Sequence, residues 1–205
     1  MKPSTRSGSI TMFAIVALIS LLGFSACQPI APTPSPSTPA ESSIEAILAQ
    51  IPGQFTFSSG AGGWSTTLDI APDGSFVGHH HDSDMGDTGP NFPNGTVYQC
   101  DFSGHLQVTG QVNEYEYWLV LVDITQDGTT DDETIGTDGV RYIVSYPYGM
   151  DNARDFNLYL PGHPVATLPE GYLNWVIPSG ALDQSATTLP FWGLYNVGGQ
   201  QGFSS

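Results

Sequence analysis

From Phe55 to Val197, apolar residues return at every second position, in runs too short for ordinary helices and cut by Gly, Pro and Asp. A period of two marks strands with one buried face, because successive side chains of a pleated backbone point to opposite sides. Phe55 and Phe57 alternate with polar residues. Trp64, Thr66, Leu68 and Ile70 share one face of the next run, and Pro72-Asp73-Gly74 turns it into Phe76-Val77. Runs at 97–102, 106–108 and 115–122 follow. In the last of these, Tyr115, Tyr117, Leu119 and Leu121 lie on one face and Glu116, Trp118, Val120 and Val122 on the other. Its distal half is apolar on both sides, which predicts cover on both sides. Runs at 140–146, 156–160 and 191–197 complete the set. Only 43–50 and 168–176 read as helical, the first with a Ser cap and a Pro52-Gly53 stop, the second with Pro and Glu in its first turn and Pro178 beyond it. About eight short strands with Gly-rich turns predict an all-β fold, an antiparallel meander closing into a barrel with one or two short helices. A β-sandwich is the alternative. Closure removes the exposed strand edges that a lone domain must otherwise protect.

The segment before these strands is built differently. Lys2 and Arg6 precede an apolar run from Ile10 to Leu22, then Gly23-Phe24-Ser25-Ala26-Cys27. A basic start, an apolar middle and small residues before a processing point make an export signal. A Cys directly after Ser25-Ala26 resembles the bacterial lipoprotein signal, which implies acyl chains such as palmitate on Cys27 as the first mature residue. With about 0.8 kcal/mol for each buried methylene and more than one chain, such an anchor is stable. Simple cleavage nearby, or retention of 10–26 as a short membrane helix, are the alternatives. In each case the rest of the chain lies outside the cytoplasm. The organisation expected is a signal at 1–26, a Pro/Ser/Thr-rich tether at 27–43 and one β domain at 44–205. Repeated prolines make the tether a semi-rigid, extended spacer.

The chain has four Lys and Arg against 20 Asp and Glu, and removal of the signal leaves only Arg141 and Arg154. A surface of this sign repels nucleic acid, which excludes that class of partner, and attracts cations. Each arginine is expected to pair with a carboxylate, and Arg154 to clamp the turn at 148–155. Of the two cysteines, a lipidated Cys27 leaves Cys100 without a partner; its place in an alternating run predicts a small core side chain.

The segments SGAGGWSTTLDIAPDGSFVG, HDSDMGDTGPNFPNGTVYQCDFSG and YPYGMDNARDFNLYLPG resemble a group of uncharacterised bacterial surface lipoproteins and secreted proteins. That resemblance implies surface display and brings no activity. Gly63-Trp64 followed by a strand and DGSFVG is similar to the opening of lipocalin-like (calycin) barrels, which implies a calycin-like barrel here.

Two clusters carry candidate chemistry. His79, His80, His81, Asp82, Asp84 and Asp87 crowd one stretch, and His79, His81, Asp82 and Asp84 are candidate ligands of a divalent metal. On a strand, His79 and His81 face one side and His80 the other, and the alternative is an acidic turn in which Asp82 and Asp84 cap backbone N–H groups. Asp123 to Thr134 partly follows the calcium-loop pattern, with Asp123, Asp127 and Asp131 as candidate ligands, but Thr134 stands where a bidentate Glu is needed. An acidic hairpin loop is the alternative. Neither a nucleophile elbow nor a phosphate-cradling loop is present. Asp69, Asp101, Glu114 and Glu116 remain as carboxylates that a glycan hydrolase would need to pair across strands. Aromatic rings in excess, among them Trp64, Tyr148 and Trp175, fill a core or line a pocket. The expectation is a monomeric, lipid-anchored, non-enzymatic surface barrel that binds a small ligand or cation or scaffolds an envelope partner. It needs no cofactor beyond a possible divalent cation. A metal-binding module and an envelope glycan hydrolase are the rivals.

Overall fold

The computed structural model of the protein describes residues 46–205 apart from residue 52, so the signal at 1–26, Cys27 and the tether lie outside the described residues. Ten strands form one sheet: β1 (Gln54–Ser58), β2 (Trp64–Ile70), β3 (Ser75–Asp84), β4 (Thr96–Asn113), β5 (Glu116–Gln126), β6 (Glu133–Ile135), β7 (Arg141–Val144), β8 (Asp155–Tyr159), β9 (Gly193–Asn196) and β10 (Gln201–Ser204). Eight of them close a ring in the order β1-β2-β3-β4-β5-β8-β9-β10, and every pair around it is antiparallel. The fold is a closed, calycin-like up-and-down barrel. Its narrowest seam is β1–β10, joined at Thr56 and Ser204. Strands β6 and β7 stand outside the ring. β5 pairs with β4 only from Phe102 onward, which leaves one edge of Thr96–Gln99 open, and β7 covers that edge as a parallel neighbour.

The inward positions are those that the alternation marks. Phe55, Phe57, Phe76, Phe102, Phe156 and Phe203 fill the barrel at 0–3% exposure, with Leu68, Leu106, Leu119, Leu158 and Leu194 between them. Large rings need space within a tightly curved wall, and two cross-strand pairs supply it. Gly78 is opposite Phe102 and Gly104 is opposite Phe76, with each ring lying against the glycine of the partner strand. A side chain at either glycine would collide with the phenyl group. Register shifts between His105 and Leu106, Val108 and Gly110, and Gln111 and Asn113 bend β4 where it feeds β5.

Two parts cover the ring. The loop after β7 lays Met150, fully buried, into the core. Gly149, at φ +106°, lets that loop descend onto Phe57 and Phe203, where a Cβ would stand 2.8 Å from each ring. Asn196 holds the loop by donating to the carbonyls of Gly149 (3.1 Å) and Asp151 (2.9 Å). Outside the wall, helix α1 (Glu170–Val176) packs on β8–β10 and forms a second core with Tyr159, Leu168, Leu182, Leu189 and Tyr195. It coincides with the helix expected at 168–176. Of the segment expected to be helical at 43–50, the described part holds a 3-10 turn at Leu48–Gln50. Among the described residues no helix is long and apolar enough to cross a membrane.

One expectation is corrected. Among the described residues nothing covers the outer face of β5 near its start and at its centre, where Trp118 and Val122 are each 54% exposed. Hydropathy on both faces of a strand registers apolar side chains, and whether something packs over them depends on distant chain.

Candidate functional site

Strand parity divides the histidine run. β3 pairs with β4 without interruption from Ser75–His105 to Asp84–Thr96, so His80 shares the inward face with Asp82 and Asp84 while His79 and His81 face outward. The proposed metal set of His79, His81, Asp82 and Asp84 is therefore split across the wall. Asp84 caps the turn that follows, accepting from the N–H groups of Gly86 (2.9 Å) and Asp87 (3.1 Å). The rings of His79 and His81 lie nearly parallel, 6.1 Å apart, and His79 Nδ1 meets Asp101 Oδ1 at 2.6 Å.

His80 is buried and its protonation follows from its partners. The Thr66 hydroxyl has one hydrogen and gives it to the Tyr148 carbonyl, so His80 Nδ1, at 2.8 Å from the same oxygen, must be the donor. Burial lowers the His80 pKa, with His81 and His79 adding to the effect and Asp82 opposing it. In the unfolded chain this group titrates near its ordinary value of about 6.5. Between the lowered folded value and that point the unfolded state binds more protons, so the neutral ring's contribution to stability is complete above it and declines as pH falls below it. Urea midpoints measured above pH 7 and near pH 5 are expected to converge in His80→Asn, whose amide can keep the bond to Thr66. An unchanged pH dependence in that variant would contradict the assignment.

Outside the wall, two adjoining depressions of about 600 and 420 Å³ cross β2–β5 and share Asp69, Val77 and Ser103. Asp123 lines the first; His79, Asp101 and Asp127 line the second. They form one acidic groove with a central apolar spot, since Val77 is 60% exposed. The expected calcium trio is thereby dispersed. Asp123 and Asp127 lie in different depressions, and Asp131 sits in the following loop at φ +72° with its N–H bonded to the Val144 carbonyl. Among the described residues, no group of three or more His, Cys, Asp or Glu is placed to hold a metal ion. Of the carboxylates considered for glycan hydrolysis, Asp69 and Asp101 share the outer groove, while Glu114 and Glu116 line a separate depression.

Arg141 is a staple. It binds Asp87, donates to Thr96 Oγ1 at 3.1 Å, stands 3.8 Å from Glu133 and lies 4.1 Å over the ring of Phe92. Arg154 is different: among the described residues no carboxylate pairs with it, and the turn at 148–155 is held instead by Asn196 and Gln201. Cys100 is a buried free thiol, which burial, reinforced by Asp101 and Asp127, pushes up to about 11, so it is a core group and no nucleophile at neutral pH. Trp64 and Trp175 pack edge-on and Tyr148 tilted around Phe57, with centroids 4.7–5.1 Å from it, as part of the core's end.

A pair that sequence reasoning left apart is His163 and Glu116. They are 47 positions apart, and meet because β8 runs beside β5 and delivers the loop after Tyr159 to the start of β5. No local pattern announces that contact. No family model matches the chain, and neither a curated protein nor a solved structure does.

Proposed function

We propose that this is a lipid-anchored, non-enzymatic surface protein that binds a cationic partner, such as a Lys/Arg-rich peptide segment, across the outer groove of its barrel. The observation that carries the reading is the contrast between inside and outside. The lumen where a calycin-like barrel would hold a ligand is packed with six phenylalanine rings, while the groove on β2–β5 presents Asp69, Asp101, Asp123 and Asp127 beside the exposed Val77. Carboxylates on a concave wall attract a cation from a distance, and the apolar spot rewards a partner with aliphatic stems between its charges. The export signal and tether support display on the outer side of a membrane.

Titration of the full chain with a Lys/Arg nonapeptide tests this. Binding is expected to weaken with added salt and to fall at least tenfold in the variant with Asn at 69, 101, 123 and 127. Equal binding by that variant would overturn the groove. Mass spectrometry of the native N-terminus is expected to find acylated Cys27, and an unmodified terminus elsewhere would remove the anchor.

A further inference from the structure

We infer that the outer face of β5 is a second subsite for the cationic partner, where an arginine of the same segment stacks on Trp118 beside Asp155. The inference rests on the reading of the outer groove above and specifies which basic residue the partner carries beyond it.

Trp118 stands outside the wall because its neighbours in β5, Tyr117 and Leu119, are buried in the core. Its partner on β4 is Gly110, which has no side chain to cover the ring; a Cβ there would stand 3.6 Å from the indole Cε3. On the other flank β8 sets Asn157 opposite Trp118 and Asp155 opposite Val120, both outward because Phe156 and Leu158 face the core. Asp155 is exposed and, among the described residues, has no ion-pair partner. The Asn157 amide donates to the Tyr159 hydroxyl at 3.2 Å, which leaves its oxygen to accept. Glu116, also outward, already faces His163 at 3.6 Å, and Arg154 precedes Asp155 at the opposite parity.

Charge and continuity select the occupant. The register shift between His105 and Leu106 leaves Val122 unpaired beside Asp123, and both are exposed. The apolar line of Trp118, Val120 and Val122 therefore runs into the acidic groove at Asp123. Trp118 precedes Asp123 by five residues, about 17 Å at the rise of a strand, so an extended peptide leaving the groove there sets its fifth residue over the indole. A cation is drawn to the face of an aromatic ring, and most strongly to tryptophan. Asp155 supplies the opposite charge at the diagonal position across the β5–β8 pair. A guanidinium is flat and weakly hydrated, so it lies on the indole while its fork of N–H groups reaches the Asp155 carboxylate and the Asn157 oxygen. A lysine ammonium is a compact, strongly hydrated charge and gains less from either contact. The subsite thus selects arginine.

The test titrates the full chain with the Lys/Arg nonapeptide and with two longer forms, extended at either end by four serines and a terminal arginine. One extended form is expected to bind about tenfold more tightly than the nonapeptide and to change the tryptophan emission, a change absent from Trp118→Phe. The gain is expected to vanish in Trp118→Ala, to shrink in Asp155→Asn and to be mostly lost when lysine replaces the terminal arginine, with nonapeptide affinity kept in both variants. Both substitutions are at exposed positions, so the fold stays intact. Equal affinity for all three peptides in the wild type, or a gain that survives Trp118→Ala, would overturn the subsite and leave the groove standing. An equal gain from lysine would overturn the selection of arginine. Absence of nonapeptide binding would remove the groove reading and this inference with it. Self-association on concentrating the protein alone, abolished by Trp118→Ala, would assign the face to a second copy and overturn the inference.

Discussion

Phe57→Ala is expected to lower the unfolding free energy by about 3–5 kcal/mol, the range for deleting a fully buried ring that its surroundings cannot collapse to replace. Phe57 has no exposure and touches four other rings, Trp64, Tyr148, Trp175 and Phe203, at centroid distances of 4.7–5.2 Å. Its position adds a reason particular to this barrel. β1 meets β10 at Thr56–Ser204, so backbone hydrogen bonding contributes little to closing the seam. The contact of Phe57 with Phe203 across that seam carries closure in its place. Urea unfolding followed by Trp fluorescence measures the loss, and amide exchange is expected to accelerate first along β1 and β10. A destabilisation below 1 kcal/mol, or uniform exchange around the ring, would count against this account.

Tyr172→Ala is expected to lower stability by a similar amount, about 3–5 kcal/mol, but through the outer core. Tyr172 is fully buried between α1 and the wall, where Gly193 on β9 and Gly202 on β10 leave a notch without side chains. The ring lies against Gly202, and the hydroxyl rests on Gly193 and donates to the Phe203 carbonyl at 3.1 Å. Burial raises its pKa far above the ordinary tyrosine range, so it stays a neutral donor. Tyr172→Phe removes only the hydroxyl and is expected to cost about 1 kcal/mol. Because a Cβ at Gly193 would overlap that same hydroxyl, Gly193→Ala is expected to be less harmful in the Tyr172→Phe background than alone. Strict additivity of the two changes would show that they do not meet.

The chain's local chemistry is legible where a single strand or turn decides the outcome. Alternation placed Phe55, Phe57, Thr66, Leu68 and Cys100 inside, and parity alone separated His80 from His79 and His81. Pro72-Asp73-Gly74 makes the turn it announces, with Gly74 at φ +87° and its N–H on the Ala71 carbonyl at 2.9 Å. The same reasoning misjudged Trp118 and Val122, because cover over an outer face is supplied by other chain. It also gave no sign of β10, whose Gln201 and Gly202 carry no hydropathic signal.

Strand period, turn chemistry and charge balance act within a few residues, and so the residues by themselves determined an acidic antiparallel β domain and the inward side of most strands. The expected closure of about eight strands into a barrel is what forms, but only the tertiary structure decided which strands adjoin, that the lumen is packed, that β7 takes the vacant edge of β4, and that His163 reaches Glu116. Those outcomes depend on register and close packing between segments distant in the chain, and no local pattern encodes which distant side chain will occupy a given gap.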